Sequence, residues 1–276
     1  MNPLVSTDWL AAHLTDVRVV DASWYMPDEK RQPAREFEAG HIPGAVFFDI
    51  DGIADQTCGL PHMMPTPDEF ARAVGALGLG DDDIIVVYDG SGLFSAPRAW
   101  WSLRAMGHAS VCVLDGGLPK WQREGRPVAG GPANPKPASF RPRPVAALAR
   151  DYDAVLAHLK ADDAQILDAR SPSRFTGEEK EPRAGLKSGH MPGAINLHWR
   201  ALLTHENTLK SDDELRRLFA ERGVDLRAPI VTSCGSGISA AILMLALEKL
   251  GAADVALYDG SWAEWGAREG APVATG

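Results

Sequence analysis

The sequence repeats itself at about half its own length. The hexapeptide GHIPGA begins at Gly40 and returns as GHMPGA at Gly189, an offset of 149 residues. VVDAS, from Val19 to Ser23, returns as ILDAR from Ile166 to Arg170, an offset of 147, and VLDGGLPKW from Val113 returns as LYDGSWAEW from Leu257, an offset of 144. A period this long does not suit a solenoid; it suits two copies of one domain. Between the copies, the stretch from Arg126 to Val145 carries six prolines and reads as an extended linker. The expected division is an N-terminal domain over 1–126, a linker over 127–146 and a C-terminal domain over 147–276.

Within each half, short β-branched runs alternate with helical patterns, the signature of an α/β domain built on a mainly parallel sheet with helices on both faces. In the second half the predicted strands are QILDA, AINLH, PIVTS and VALYD. SDDELRRLFAERG has a capping serine, acids in its first turn and a closing glycine, and predicts a helix. ISAAILMLALEKLG is apolar almost all round and predicts a helix packed deep against the sheet. IIVVYD, PDEFARAVGALG and APRAWWSLRAMG occupy the matching places in the first half.

The net charge of −9, with no lysine or arginine cluster, argues against nucleic acid or an anionic membrane surface as a partner. No apolar run reaches the roughly 18 residues of a membrane span, and the first residues show no secretory signal. Cys58, Cys112 and Cys234 are odd in number and form no CxxC, which fits neither a disulfide framework nor a zinc site. These features predict a soluble protein of a reducing compartment, cytoplasmic, with no metal.

The duplication serves as an internal control, because what both copies share is demanded by the fold and what one copy alone carries is a candidate for chemistry. His41 and His190 occur in both and are expected to satisfy nearby backbone. VTSCGSGISA (231–240) aligns with VVYDGSGLFS (86–95), and there Cys234 stands where the first copy has Asp89. Since an aspartate is tolerated, the position is expected to be polar and partly accessible. A glycine-rich loop between a strand and a helix N-terminus turns backbone N–H groups inward, so a sulfur held there has its anionic form favoured. Cys112, within an alternating strand, is expected in the core, and Cys58 in a loop.

The two GH[IM]PGA motifs, the C-terminal CGSGISA and the DGSWAEW near the end together resemble the tandem rhodanese-fold sulfurtransferases over essentially the whole chain. Within that family, thiosulfate enzymes carry basic residues after the cysteine, whereas the 3-mercaptopyruvate subgroup carries CGSGV[ST]A. This sequence has Ile238 in place of the usual valine. The resemblance implies that Cys234 is the nucleophile, that Gly235, Gly237, Ile238 and Ser239 form the substrate-facing loop, and that no cofactor is needed. It further implies that Arg174 and Arg183, nine residues apart in SRFTGEEKEPRAG, hold the carboxylate and carbonyl of a 2-oxo acid donor. Ser236, His62 and Asp51 are implied as a relay that assists proton transfer. The implied partners are a small 2-oxo acid that donates sulfur and a thiol acceptor, such as a small reductant or a thioredoxin-like protein.

Three other readings compete. A thiosulfate enzyme would carry cations in the loop, which is neutral here. A cysteine phosphatase needs an arginine about six residues after the cysteine, where Ala240 stands. A sulfur carrier without turnover would have no use for two arginines.

Overall fold

Short runs of aliphatic and β-branched residues become the strands of two sheets with one topology. The computed structural model describes residues 2–276. The first sheet contains β1 (Leu4–Val5), β2 (Arg18–Asp21), β3 (Val46–Phe47), β4 (Ile85–Tyr88) and β5 (Val111–Leu114), in the order β1-β5-β4-β2-β3. The second contains β6 (Ala149–Arg150), β7 (Gln165–Asp168), β8 (Ile195–Asn196), β9 (Ile230–Ser233) and β10 (Val255–Tyr258), in the order β6-β10-β9-β7-β8. Every pairing is parallel. A parallel neighbour is reached only by a crossover, and the intervening segments supply helices for that purpose. The predicted α/β architecture is present in both copies; the edge strands β1 and β6 were not among the predicted strands.

The chain forms two units by its internal contacts. One takes the chain up to Gln56, Met64–Val145 and His205–Leu209, and the other takes Thr57–Met63, Ala146–Thr204 and Lys210–Gly276. Each unit therefore contains a short strip from the other half of the sequence.

All residues of β4, β5, β9 and β10 are buried, as strands covered on both faces must be. The helix Ala240–Lys249, directly after β9, buries eight of its ten residues. On the amphipathic helix Asp212–Glu221, Ser211 accepts from the Glu214 N–H while Glu214 accepts from the Ser211 N–H. Thr66 and Glu69 do the same for the helix Pro67–Ala76 in the first unit. Such reciprocal caps are typically worth about 1 kcal/mol each and fix where the helices begin.

The motifs shared by both copies hold the chain ends together. The His41 ring is stacked on Phe37, with Nδ1 2.8 Å from the Phe37 carbonyl; His190 is stacked on Phe175, with Nδ1 2.8 Å from that carbonyl. The backbone of His41 pairs with Ala129 and that of His190 with Ala274. Trp121 donates to the Pro127 carbonyl at 2.7 Å and Trp265 to that of Pro272 at 2.8 Å. PVAGG (127–131) and PVATG (272–276) are thus a further repeat, short enough to escape notice until the bridges align it. Beyond it, the proline-rich stretch has no strand or helix until Ala146, and is hydrogen-bonded to the first unit through Ala138, Arg143 and Val145. No helix among the described residues is long and apolar enough to cross a membrane.

The first unit also carries a buried carboxyl with a measurable signature. Asp21, at the end of β2, is raised to about 6 by burial, although the N–H and hydroxyl of Ser23 bond to it and pull the other way. The folded state therefore holds a proton that the unfolded state, titrating near 3.8, has released. The stabilising effect of that proton is fully present below about pH 4 and is lost as pH rises through about 6. That displacement corresponds to about 3 kcal/mol. Urea unfolding of wild type is expected to lose stability by about that much across this window relative to Asp21→Asn; parallel profiles would refute it.

Candidate active site

β9 delivers Ser233 to the carboxyl end of its sheet, where ligands of open α/β sheets bind, and Cys234 is the next residue. The chain then turns through Gly235, Ser236, Gly237, Ile238 and Ser239 into the helix at Ala240. Gly237 makes the turn with φ of 80°, a conformation costly for other residues. The loop is anchored from behind: Cys234 donates its N–H to Ser261 Oγ at 3.2 Å, the Cys234 carbonyl accepts from Trp262 N–H and that of Gly235 from Ala263 N–H, both at 2.9 Å. Ile238 is buried.

The first unit shows what this loop is built to hold. Asp89 accepts from Ser91 N–H through Oδ1 at 2.9 Å, and through Oδ2 from Phe94, Ser95 and Ala96 N–H at 2.7, 2.9 and 2.9 Å. One carboxylate gathers four backbone donors. In the second unit the counterparts are the N–H groups of Ser236, Ser239, Ala240 and Ala241; among the described residues the first three take no partner, while that of Ala241 donates to the Ile238 carbonyl at 3.2 Å. This corrects the expectation of an accessible position. Cys234 is 2% exposed and Asp89 1%. An aspartate survives here because converging amides solvate it, and exposure to water is not required.

Two predicted arginines meet the loop. A Cβ placed on Gly235 would lie 3.0 Å from Arg174 Nη2, and Arg183 Nη2 is 3.5 Å from Ser236 Oγ. His62, contributed to this unit by the 57–63 strip, is buried at φ 62° with Nδ1 3.1 Å from the Ser236 carbonyl. Ser236 Oγ therefore faces Arg183, and the helix that follows has no side-chain cap. Asp51 belongs to the first unit, where its Oδ2 accepts the Trp24 indole N–H at 2.9 Å. The other two cysteines lie where expected: Cys58 is exposed, and Cys112 is sealed in β5 with its thiol pushed up to about 12 by burial.

Sequence reasoning missed the groups beneath Arg174. Glu181 accepts from Arg174 Nη2 at 2.5 Å and Nε at 3.3 Å, and from Arg170 Nη1 at 2.7 Å. Arg170 also forks onto Asp168 and donates to the Gly189 carbonyl, with its guanidinium 4.2 Å from the centre of the Trp262 ring. Burial works against the charge of Arg170, but Asp168 and Glu181 outweigh it and raise its proton affinity. Glu181 looked like one more acid in an acidic loop, and nothing in its spacing marked it as buried.

A family model described as rhodanese-like domain matches residues 6–124 and 151–268. The chain is 47% identical to the 3-mercaptopyruvate sulfurtransferase of Escherichia coli K12, over 98% of this chain and 96% of that protein. It is 42% identical to the mitochondrial thiosulfate/3-mercaptopyruvate sulfurtransferase 1 of Arabidopsis thaliana, over 99% of this chain and 78% of that one. Among solved structures, a 3-mercaptopyruvate sulfotransferase from Escherichia coli superposes with a TM-score of 0.87 at 43% identity, covering 95% of this chain and 99% of the other.

Proposed function

The chain belongs to the rhodanese-like family, with two such domains, and from that premise we propose that it transfers the sulfur of 3-mercaptopyruvate through a persulfide on Cys234. The observation that carries this reading is the loop after Cys234, in which the N–H groups of Ser236, Ser239 and Ala240 take no partner among the described residues, beside two arginines. The catalytic unit in this proposal is the C-terminal domain of 147–276, after the 127–146 linker; the domain of 1–126 lacks the nucleophile.

In the first step the Cys234 thiolate attacks the thiol sulfur of 3-mercaptopyruvate. The new S–S bond forms as the C–S bond breaks, the sulfur keeps its hydrogen, and the carbon retains the electron pair as the enolate of pyruvate. Arg174 and Arg183 supply planar pairs of donors to the carboxylate and the carbonyl oxygen, where enolate charge accumulates. Gly235, Gly237, Ile238 and Ser239 shape the loop against the substrate, and its amides stabilise charge on the attacking and the transferred sulfur. The enolate then takes one proton and leaves as pyruvate. Ser236 and His62 are the groups proposed to hand it over, with Asp51 as the third member of the relay.

In the second step an acceptor thiol, a small reductant or a thioredoxin-like protein in the cytoplasm, or cyanide in an assay, attacks the outer sulfur and frees the thiolate. The two half-reactions predict ping-pong kinetics. The Arabidopsis relative is a thiosulfate/3-mercaptopyruvate sulfurtransferase, so thiosulfate is the alternative donor. A loop without cations suits that compact dianion poorly.

Purified protein incubated with 3-mercaptopyruvate is expected to gain one sulfur on Cys234 and to release one equivalent of pyruvate, read by peptide mass spectrometry and a pyruvate assay. Turnover with thiosulfate is expected to be slower. Faster turnover with thiosulfate overturns the donor assignment, and the absence of both pyruvate and added sulfur overturns the enzyme reading.

A further inference from the structure

The Arg174 guanidinium, beside the loop at Gly235, is held from beneath by a single carboxylate. Among the described residues, Glu181 accepts both hydrogen bonds that Arg174 makes, one from Nε and one from Nη2. The side-on grip leaves the Nη1 edge of the guanidinium for an incoming anion. Glu181 is itself fixed, because its Oε1 also accepts from Arg170, whose own fork is locked on Asp168. The side chains of Asp168, Arg170 and Glu181 are at most 2% exposed, while Arg174 is 17% exposed. The order Asp168, Arg170, Glu181, Arg174 thus runs from the sealed interior outwards, alternates in sign and ends on the one member that reaches the loop. The first unit offers a comparison. Asp21 stands where Asp168 does, but two residues on it has Ser23 rather than an arginine, and its loop holds a carboxylate in place of the nucleophile.

We propose that Glu181 is the positioning residue of this site: it orients Arg174 for the carboxylate of a 2-oxo acid, and Arg170 in turn holds Glu181 in register. The inference rests on the 2-oxo acid reading of the site. Glu181 does not touch the substrate. Its effect passes through one arginine and therefore belongs to donor recognition rather than to the reactivity of the sulfur.

The test is steady-state kinetics with 3-mercaptopyruvate on wild type, Glu181→Gln, Arg174→Ala and the double variant, with the rate of Cys234 alkylation by iodoacetamide as a charge-neutral control. Glutamine keeps the shape but offers a single acceptor atom to two guanidinium groups. The expected result for Glu181→Gln is a KM raised by roughly 10- to 100-fold, with kcat and the alkylation rate each changed less than about threefold. The double variant should fall within about twofold of Arg174→Ala, because a group that acts through Arg174 has nothing left to act on. A KM within twofold of wild type, or losses from Glu181→Gln and Arg174→Ala that multiply, would overturn the inference. If Glu181→Gln does not fold, Glu181→Asp decides, since it keeps the buried charge but sets the carboxylate back by one methylene; a raised KM with normal alkylation supports the inference and an unchanged KM sinks it. Wild type that makes no pyruvate from 3-mercaptopyruvate removes the function reading and this inference with it, whereas active wild type with an unaffected variant removes only the inference.

Discussion

Cys234→Ser is expected to lower sulfur transfer by on the order of 10⁴- to 10⁶-fold, the usual consequence of removing a covalent nucleophile. Serine fits the loop, and its backbone can keep the bonds to Ser261 and Trp262, so the fold should survive. What it lacks is a sulfur that can form and release an S–S bond. Two other cysteines make the result specific. Cys112 is sealed and its thiol pushed up to about 12, and Cys58 sits in an exposed loop. Incubation of the variant with 3-mercaptopyruvate, followed by peptide mass spectrometry, should find neither peptide carrying added sulfur. Sulfur on Cys58, with pyruvate still produced, would move the chemistry away from the loop.

The second large effect is expected from removing both loop arginines. Hydrogen bonds to charged groups contribute about 1.5–3 kcal/mol each. Arg174→Ala with Arg183→Ala should therefore reduce kcat/KM for 3-mercaptopyruvate by roughly 10²- to 10⁴-fold. Alkylation of Cys234 by iodoacetamide, which has no carboxylate to hold, should change far less. A comparable fall in both rates would mean that the arginines support the loop rather than the donor. The single variants separate the two roles. Loss of Arg183 should weigh more on kcat, because its neighbour Ser236 is the proposed proton donor, and loss of Arg174 should weigh more on KM.

Much of this was legible because the chain contains its own comparison. The repeated GH[IM]PGA, the aligned strands and the exchange of Asp89 for Cys234 pointed to the architecture, the loop and the candidate nucleophile without any structure. What stayed hidden depends on contacts distant in sequence. Glu181 has acids and basic residues on either side, and only the packing of Arg170 against Trp262 turns it from a surface acid into the support of Arg174. The burial of Asp89 was misjudged for a related reason. Desolvation of a carboxylate is prohibitive only where nothing replaces water, and the four N–H groups that replace it come from a backbone conformation that letters do not display.

The strips 57–63 and 205–209 carry one last consequence. Duplication usually yields modules that can be parted, yet here His62 would stay with the amino-terminal fragment if the chain were severed within 127–146, while the loop it abuts would leave with the other. Each copy lends the other a short strip, so a half moved alone into another protein would leave behind the segment that the other copy contributes.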